Sequence, residues 1–357
     1  MKKTLIVLGI LFSIVVKAQW QQITADTQGL LCISINDTVI YGATHNRVYR
    51  SIDEGATWNS GSNGLSDSLL LSILNTGTDI FVGNFVGEVF RSIDNGNSWT
   101  LSGTVVPNHR IVFLSKNNSS LYASVDSMGL FVSYNNGTTW TPINSGLTTT
   151  QVNAFAVSGT DVIIGTDSGV FISSNNGASW TSINTGLSSI HIYSLAVSGL
   201  NIFAGTDDGV FVSANNSGLW SAANYGIAGT RISALATNGI SLFASCTFPQ
   251  NLYAGVFISN DDGNSWHSIT TGIQYFYAFS LILTSNDIYA LIWDVTPVPS
   301  SSLWKRSLSE ITKIDENTNH INFVQYPNPA TDQLNIIFND ATATEAIVEI
   351  HDLLGKL

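Results

Sequence analysis

Along residues 20–308 the apolar positions fall in short runs, rich in Val, Ile, Phe and Tyr and each bounded by Gly, Asn, Asp or Ser. Such runs mark β-strands joined by tight turns, and nothing in this region keeps a helical period. One unit shows the grammar: Trp180 to Ile183, the pair Gly186-Leu187, then His191 to Val197, Asn201 to Ala204 and Gly209 to Val212. Strands of the His191 type are denoted A, the next two B and C, and the tryptophan type D. Strand D follows a turn of the form Ser-x-Asp-x-Gly-x-Thr/Ser-Trp. It reads Ser51-Ile-Asp53-Glu-Gly55-Ala-Thr57-Trp58, then Ser92 to Trp99 with Asp94 and Gly96, and Ser259 to Trp266 with Asp261 and Gly263. Softer copies end at Trp140, Trp180 and Trp220, where Asn135, Asn175 and Asn215 replace the acid. From Trp58 onward the tryptophans lie 41, 41, 40, 40 and 46 residues apart. A period of about 40–45 residues is that of a four-stranded propeller blade.

The ends of the array set the blade count. Trp20-Gln-Gln-Ile23 has the form of a D strand with no A, B or C before it. Residues 279–283, 287–291 and 303–307 have the form of A, B and C with no D after them. Pairing the first segment with the last three closes a ring. Six hairpin turns plus this closure predict an all-β, seven-bladed propeller over 19–308, with no exposed sheet edge between first and last blade. In each turn the Asp or Asn is suited to accept backbone N–H groups, the Gly supplies a positive φ, and the Trp packs apolar area between sheets. Asp53, Asp94, Asn135, Asn175, Asn215 and Asp261 are therefore assigned structural roles. Ser213-Ala-Asn-Asn-Ser217-Gly-Leu-Trp220 lacks Gly in register, so the fifth turn is expected to be the least regular.

Composition adds a compartment and excludes partners. Lys2 and Lys3, the apolar run Leu5 to Val16 and the small-residue site Val16-Lys17-Ala18 read as a signal peptide, 1–18, cleaved before Gln19. The run is too short to span a bilayer comfortably, and no second one follows. No Cys at the junction offers a lipid anchor. A net charge of −12 with 13 Lys+Arg disfavours nucleic acid and anionic membranes, which need a basic face. Cys32 and Cys246 fall in blades one and six, which are not neighbours, so two free, buried thiols are expected rather than a disulfide. After a linker at 309–322 a second module, 323–357, opens as an alternating β segment. There is no His/Cys cluster, Gly-rich phosphate loop or nucleophile elbow, so no metal or cofactor is expected.

The repeat resembles the Asp-box (BNR) family of propellers, which includes sialidases, sortilin-type receptors, xyloglucan-cleaving hydrolases and photosystem-assembly-factor-like proteins. The resemblance spans about residues 20–308 and implies the fold without selecting a function, since members differ in function while sharing the box. Tyr326-Pro-Asn-Pro329, Leu334-Asn-Ile336 and Asp352-Leu-Leu-Gly-Lys356 resemble the C-terminal sorting domain of type IX secretion cargo in Bacteroidetes. That resemblance implies export by the secretion machinery, followed by surface attachment or release. The Gly-Tyr-containing strands and basic end of the usual domain are not among these residues, so a partial sorting domain, a truncated β-sandwich-like module, is expected.

Alternating strand direction puts the A–B and C–D turns on one face and the B–C and D–A connections on the other. In the resembling hydrolases the active site lies opposite the boxes. On that face, eleven residues after each Trp, strand A is entered at Leu31, Leu69, Arg110, Gln151, His191, Arg231 and Tyr277. The B–C connections of the last two blades are longer, Cys246 to Tyr253 and Trp293 to Pro299. Irregular loops on a rigid scaffold are where binding surfaces usually form. Phe248, Tyr253, Tyr275, Phe276, Tyr277 and Trp293 either line one groove there or fill the loop core. Arg50, Arg91 and Arg306 precede the turn serine at one repeat position and are expected to be solvated, not a sialidase arginine triad. Asp126, Asp167 and Asp207 recur in three B–C turns and are expected to cap them. Asp294 is the one non-repeating acid in the longer loops and the candidate for acid chemistry. The expectation is an exported binding or interaction propeller for a glycan or protein; the alternative is a glycoside hydrolase, sialidase- or xyloglucanase-like, using the face opposite the boxes. A mainly structural surface component is the third class.

Overall fold

The computed structural model describes residues 19–23, 29–36, 38–227, 231–248, 251–273, 276–294, 300–312, 323–326 and 335–338, with backbone alone at 247–248, 251–254, 276–277, 294, 300, 312 and the last two segments. The expected signal peptide and most of the linker and tail lie outside these residues. Two compact units, 1–310 and 311–357, make up the chain.

The first unit holds seven four-stranded antiparallel sheets. Six follow chain order as blades one to six, with outer bounds 32–61, 70–104, 111–142, 152–182, 194–222 and 231–268. The seventh sheet has the order Gln21–Gln22, Ser300–Ser307, Asp287–Asp294, Phe276–Leu283, so the first strand supplies the missing D strand. Gln21 pairs with Lys305 and Gln22 with Trp304, and Ile23 N–H donates to the Leu303 carbonyl at 2.9 Å. The core lies between the blades. Each apolar cluster joins two neighbours, as where Leu30, Ile33 and Ile40 of blade one meet Tyr289, Leu291 and Leu303 of blade seven. That last cluster shows the ring closed by side chains as well as backbone.

The repeated turn closes C onto D through one serine and one carboxylate or amide. Gly96 N–H donates to Ser92 Oγ at 2.8 Å, Ser92 Oγ donates to Asp94 Oδ1 at 2.7 Å, and Ser98 gives its N–H to Oδ1 at 2.9 Å and its hydroxyl to Oδ2 at 2.5 Å. Asp53 and Asp261 repeat this set. Asn135 and Asn175 keep it by donating Nδ2 to Thr139 and Ser179. The fifth turn differs. Ala214–Asn216 forms a short 3-10 turn and Gly218, one residue late, donates to Ser213 Oγ at 3.0 Å. Asn215 does not take the box role: its N–H donates to Asn201 Oδ1, while Asn216 exchanges hydrogen bonds with Ser158 of blade four. The extra residue before Gly218 moves the amide out of register.

The tryptophans tie each blade to the one before it. Trp99, Trp180, Trp220 and Trp266 donate their indole N–H to the carbonyls of Gly61, Ile143, Ile183 and Ala223, and Trp20 closes the series on Ile269 at 2.7 Å. Trp58 and Trp140 instead bond the Gly carbonyl of their own turn. The Gly-Leu pair of each repeat serves the same junction. At Gly186, with φ +97°, an added Cβ would sit 2.2 Å from the Trp220 carbonyl oxygen, so only glycine fits.

Cys32 and Cys246 form no disulfide with each other, and burial pushes the Cys32 thiol well up. Residues expected to begin the linker instead form a short helix, Leu308–Thr312. The second unit contains a two-stranded sheet pairing Phe323–Tyr326 with Asn335–Phe338.

Candidate functional site

Antiparallel neighbours reverse direction at every turn, so the start of strand A shares a face with the B–C turn. In blades three to six this brings the polar entrance residues against those turns. Arg110 Nε lies 3.2 Å from Asp126 Oδ2 within blade three. The other contacts cross to the preceding blade. Gln151 donates Nε2 to Ser127 Oγ and accepts the Ser127 N–H, both at 3.3 Å. His191 Nε2 lies 3.2 Å from Asp167 Oδ1, and Arg231 Nε lies 3.8 Å from Asp207 Oδ1. The side chains of these three Arg/His–Asp pairs keep 32–50% of their surface exposed, so they contribute little to stability and stand open to a ligand.

The three aspartates are therefore not the turn caps expected of them. In blades four and five the cap is a buried threonine: Thr166 and Thr206 donate to the carbonyls of Gly169 and Gly209 at 2.8 and 3.0 Å. Each hydroxyl also accepts an N–H, from Ser168 and Asp208, at 3.0 Å. A hydroxyl inside the hairpin satisfies the turn and leaves the neighbouring carboxylate free to reach across the mouth.

Tyr193, two residues beyond His191 in chain order, completes the cluster. Its ring stacks on His191 with centroids 4.4 Å apart and 19° between planes, and the Arg231 guanidinium carbon lies 3.9 Å from the Tyr193 centroid. The Tyr193 hydroxyl donates to Asp207 Oδ1 at 2.9 Å. Burial, followed by that hydrogen bond, pushes the phenol up to about 12, so it remains a donor at neutral pH. In blade four Asn153 plays a related part, donating Nδ2 to Asp167 Oδ1 at 2.7 Å and to the Ile192 carbonyl at 3.1 Å. Neither residue was among the sequence candidates. The available signal was positional: Asn153, Tyr193 and Ser233 occupy, in consecutive blades, a place held elsewhere by Ile33, Leu71, Val112 and Phe279.

Below the mouth a cavity of about 310 Å³ is walled by strand A of blades three to seven. Asn153 and Tyr193 belong to both mouth and cavity. Further lining comes from Phe113, Phe155, Leu195, Leu235, Phe279 and Leu281 with Ser115, Ser194, Ser233 and Ser280, and no lining side chain is ionised at neutral pH.

Elsewhere the candidates separate. Leu31 and Leu69 are half-buried, leaving the mouth without charge in blades one and two. Of the two longer B–C connections, the described part of Cys246 to Tyr253 continues the ladder, with Phe248 paired to Asn251, while of Trp293 to Pro299 only Trp293 and Asp294 are described, Asp294 pairing with both Phe276 and Ser300. Trp293 is 39% exposed and faces Tyr277 in register. The side chains of Phe248, Tyr253, Phe276, Tyr277 and Asp294, and all of Tyr275, lie outside the described residues. Arg50, Arg91 and Arg306 share a repeat position without sharing solvent. Arg91 binds Asp79 Oδ2 at 2.8 Å, Arg50 lies over Tyr41, and Arg306, 3% exposed, donates to the Ile269 carbonyl at 2.6 Å. Among the described residues no group of His, Cys, Asp or Glu could hold a metal ion, and no helix is long and apolar enough to cross a membrane.

Residues 324–357 match the secretion system C-terminal sorting domain family, the type IX sorting tail. No curated protein matches the sequence. Among solved structures, YCF48 from Cyanidioschyzon merolae is 14% identical with a TM-score of 0.63, covering 82% of this chain and 99% of that one. The extracellular domain of a putative one-component system from B. thetaiotaomicron is 13% identical with a TM-score of 0.63, covering 87% and 41%. A GH74 xyloglucanase from Xanthomonas campestris is 12% identical with a TM-score of 0.60, covering 82% and 54%. At these identities the likeness is one of fold. The propeller is an exported one, delivered to the cell surface or the extracellular space.

Proposed function

We propose that the propeller is a binding module for a hydroxyl-rich, uncharged ligand, a glycan, held at the mouth of blades three to six. The carrying observation is the pairing of Arg110, His191 and Arg231 with Asp126, Asp167 and Asp207. A guanidinium offers only donors and a carboxylate only acceptors. Set side by side and half exposed, they match a sugar hydroxyl, which both gives and accepts a hydrogen bond. The half-exposed His191 ring, braced by Tyr193, adds an apolar face suited to a sugar ring. A fold that carries a xyloglucanase is compatible with this role.

A two-carboxylate hydrolase needs one carboxyl group as acid and a second free to act as base or nucleophile. Here each carboxylate at the mouth is already engaged by Arg, His, Asn or Tyr, which favours binding over hydrolysis. The test is an array of neutral glycans, acidic glycans and peptides, probed with wild type and with Arg231→Ala, His191→Ala and Trp293→Ala. Binding to neutral glycans lost in Arg231→Ala, with the thermal midpoint nearly unchanged, is the expected result. Peptide binding alone, or turnover of a bound glycan abolished by Asp207→Asn or Asp294→Asn, would replace the proposal.

A further inference from the structure

On the basis of that binding role, we infer that the ligand is recognised end-on: one uncharged terminal sugar enters the central cavity, and the rest of the chain leaves into solvent past the ring of ion pairs. Three observations lead there. First, mouth and cavity are continuous through Asn153 and Tyr193, so a ligand touching the ion pairs has a recess directly below it. Second, the recess is built for an uncharged, amphipathic group. Phe113, Phe155 and Leu235 offer apolar surface beside Asn153, Tyr193 and the serines of strand A. Strand A is also the edge strand of every blade, with a second β partner on one side only, which leaves neutral backbone groups along the channel. Third, about 310 Å³ is at the small end of ligand pockets, suited to a terminal unit rather than to a chain lying lengthwise.

Charge sets the selectivity. The mouth sets two arginines, Arg110 and Arg231, and His191 against three carboxylates, Asp126, Asp167 and Asp207, so it carries no excess of positive charge. An anionic terminus gains nothing from this ring and then loses its hydration in a recess without a cation, which is strongly unfavourable. Terminal uronates and sulfated sugars are thereby excluded, and neutral termini are admitted.

The experiment is calorimetric titration of the full chain with neutral gluco- and xylo-oligosaccharides from disaccharide to octasaccharide, and with the same chains oxidised to a uronate at the non-reducing end. Two cavity variants accompany it, Ser115→Trp to fill the recess and Ser115→Ala as control, with Arg231→Ala for the mouth. Affinity is expected to level off at the shortest chains and stay within about twofold thereafter, with at least a tenfold loss on terminal oxidation and in Ser115→Trp. The length series needs only wild-type protein, so it decides the matter even where Ser115→Trp fails to fold. Affinity that climbs steadily with length, or survives terminal oxidation, while Arg231→Ala still abolishes it, overturns end-on entry and keeps the binding role. Absence of binding to every neutral chain overturns both.

Discussion

Replacing Trp20 with Ala should open the ring at its seam. Trp20 is 3% exposed and leads a strand that makes two ladder pairs and one further backbone bond with blade seven. Truncating a buried Trp to Ala costs ~3–5 kcal/mol through lost burial and the cavity left behind. The lost indole hydrogen bond adds little, because the Ile269 carbonyl also accepts the Arg306 guanidinium at 2.6 Å and stays satisfied. The control is Trp140→Ala. That ring is half-buried, its indole bonds Gly137 of its own turn, and its strand is covalently held on both sides. Its loss should cost ~1–3 kcal/mol. Thermal unfolding should then show a midpoint drop of roughly 6–15 °C for Trp20→Ala and less than about half that for Trp140→Ala. Amide exchange should rise selectively across Ser300–Ser307, the strand left as an open edge. Equal midpoint drops in the two variants, or unchanged exchange at that strand, would refute the idea that closure depends on this anchor.

Two further outcomes follow from charge. Hydrogen bonds from Thr57 and Ser98, side chain first and then backbone, hold Asp53 and Asp94 at about 2 against an ordinary 3.8. A folded-state pKa below the unfolded one means that both turns stabilise fully above about pH 4 and lose that contribution as pH falls to about 2. The double variant Asp53→Asn/Asp94→Asn should fold, as Asn135 and Asn175 hold the same turn, yet show a shallower loss of thermal midpoint across that window; an unchanged slope would exclude the turns as its source. At the closing seam Lys305 reaches Glu54 at 2.6 Å and Asp287 at 3.6 Å. Burial opposes its charge, but these partners raise its pKa above 10.5, so the contribution is present at neutral pH and lost as pH rises through the raised value. With Glu54 41% exposed, Lys305→Met should cost only about 1 kcal/mol at low salt and less at high salt; a variant as stable as wild type at low salt would show the pair idle.

Much of the fold was legible because each blade repeats a local rule. The Ser-Asp-Gly-Trp spacing depends on contacts two to four residues apart, which a sequence displays directly. Asn215 shows the limit: the letter fits, but one extra residue before Gly218 shifts the turn. Arg50, Arg91 and Arg306 show another, since equivalent places in a repeat are solvated or buried according to what the neighbouring blade presents. The entrance residues Arg110, Gln151, His191 and Arg231 were found by counting from each Trp. Their partners were not, because Asp167 and Asp207 look like turn residues until the following blade is set beside them, and Asp126 until its own strand A is.

The sequence by itself determined the strand grammar, the blade count, the closure by the first strand and the export tail. All follow from periodic patterning and from one unpaired segment at each end. Only the tertiary structure decided which polar residues face one another across the mouth and what lies beneath them. Those contacts join blades whose residues stand some fourteen to twenty-four positions apart within and between repeats, and their geometry comes from the angle at which the sheets pack. The repeated turn therefore specifies the frame, whereas the site lies on the opposite face, built from side chains that break the repeat.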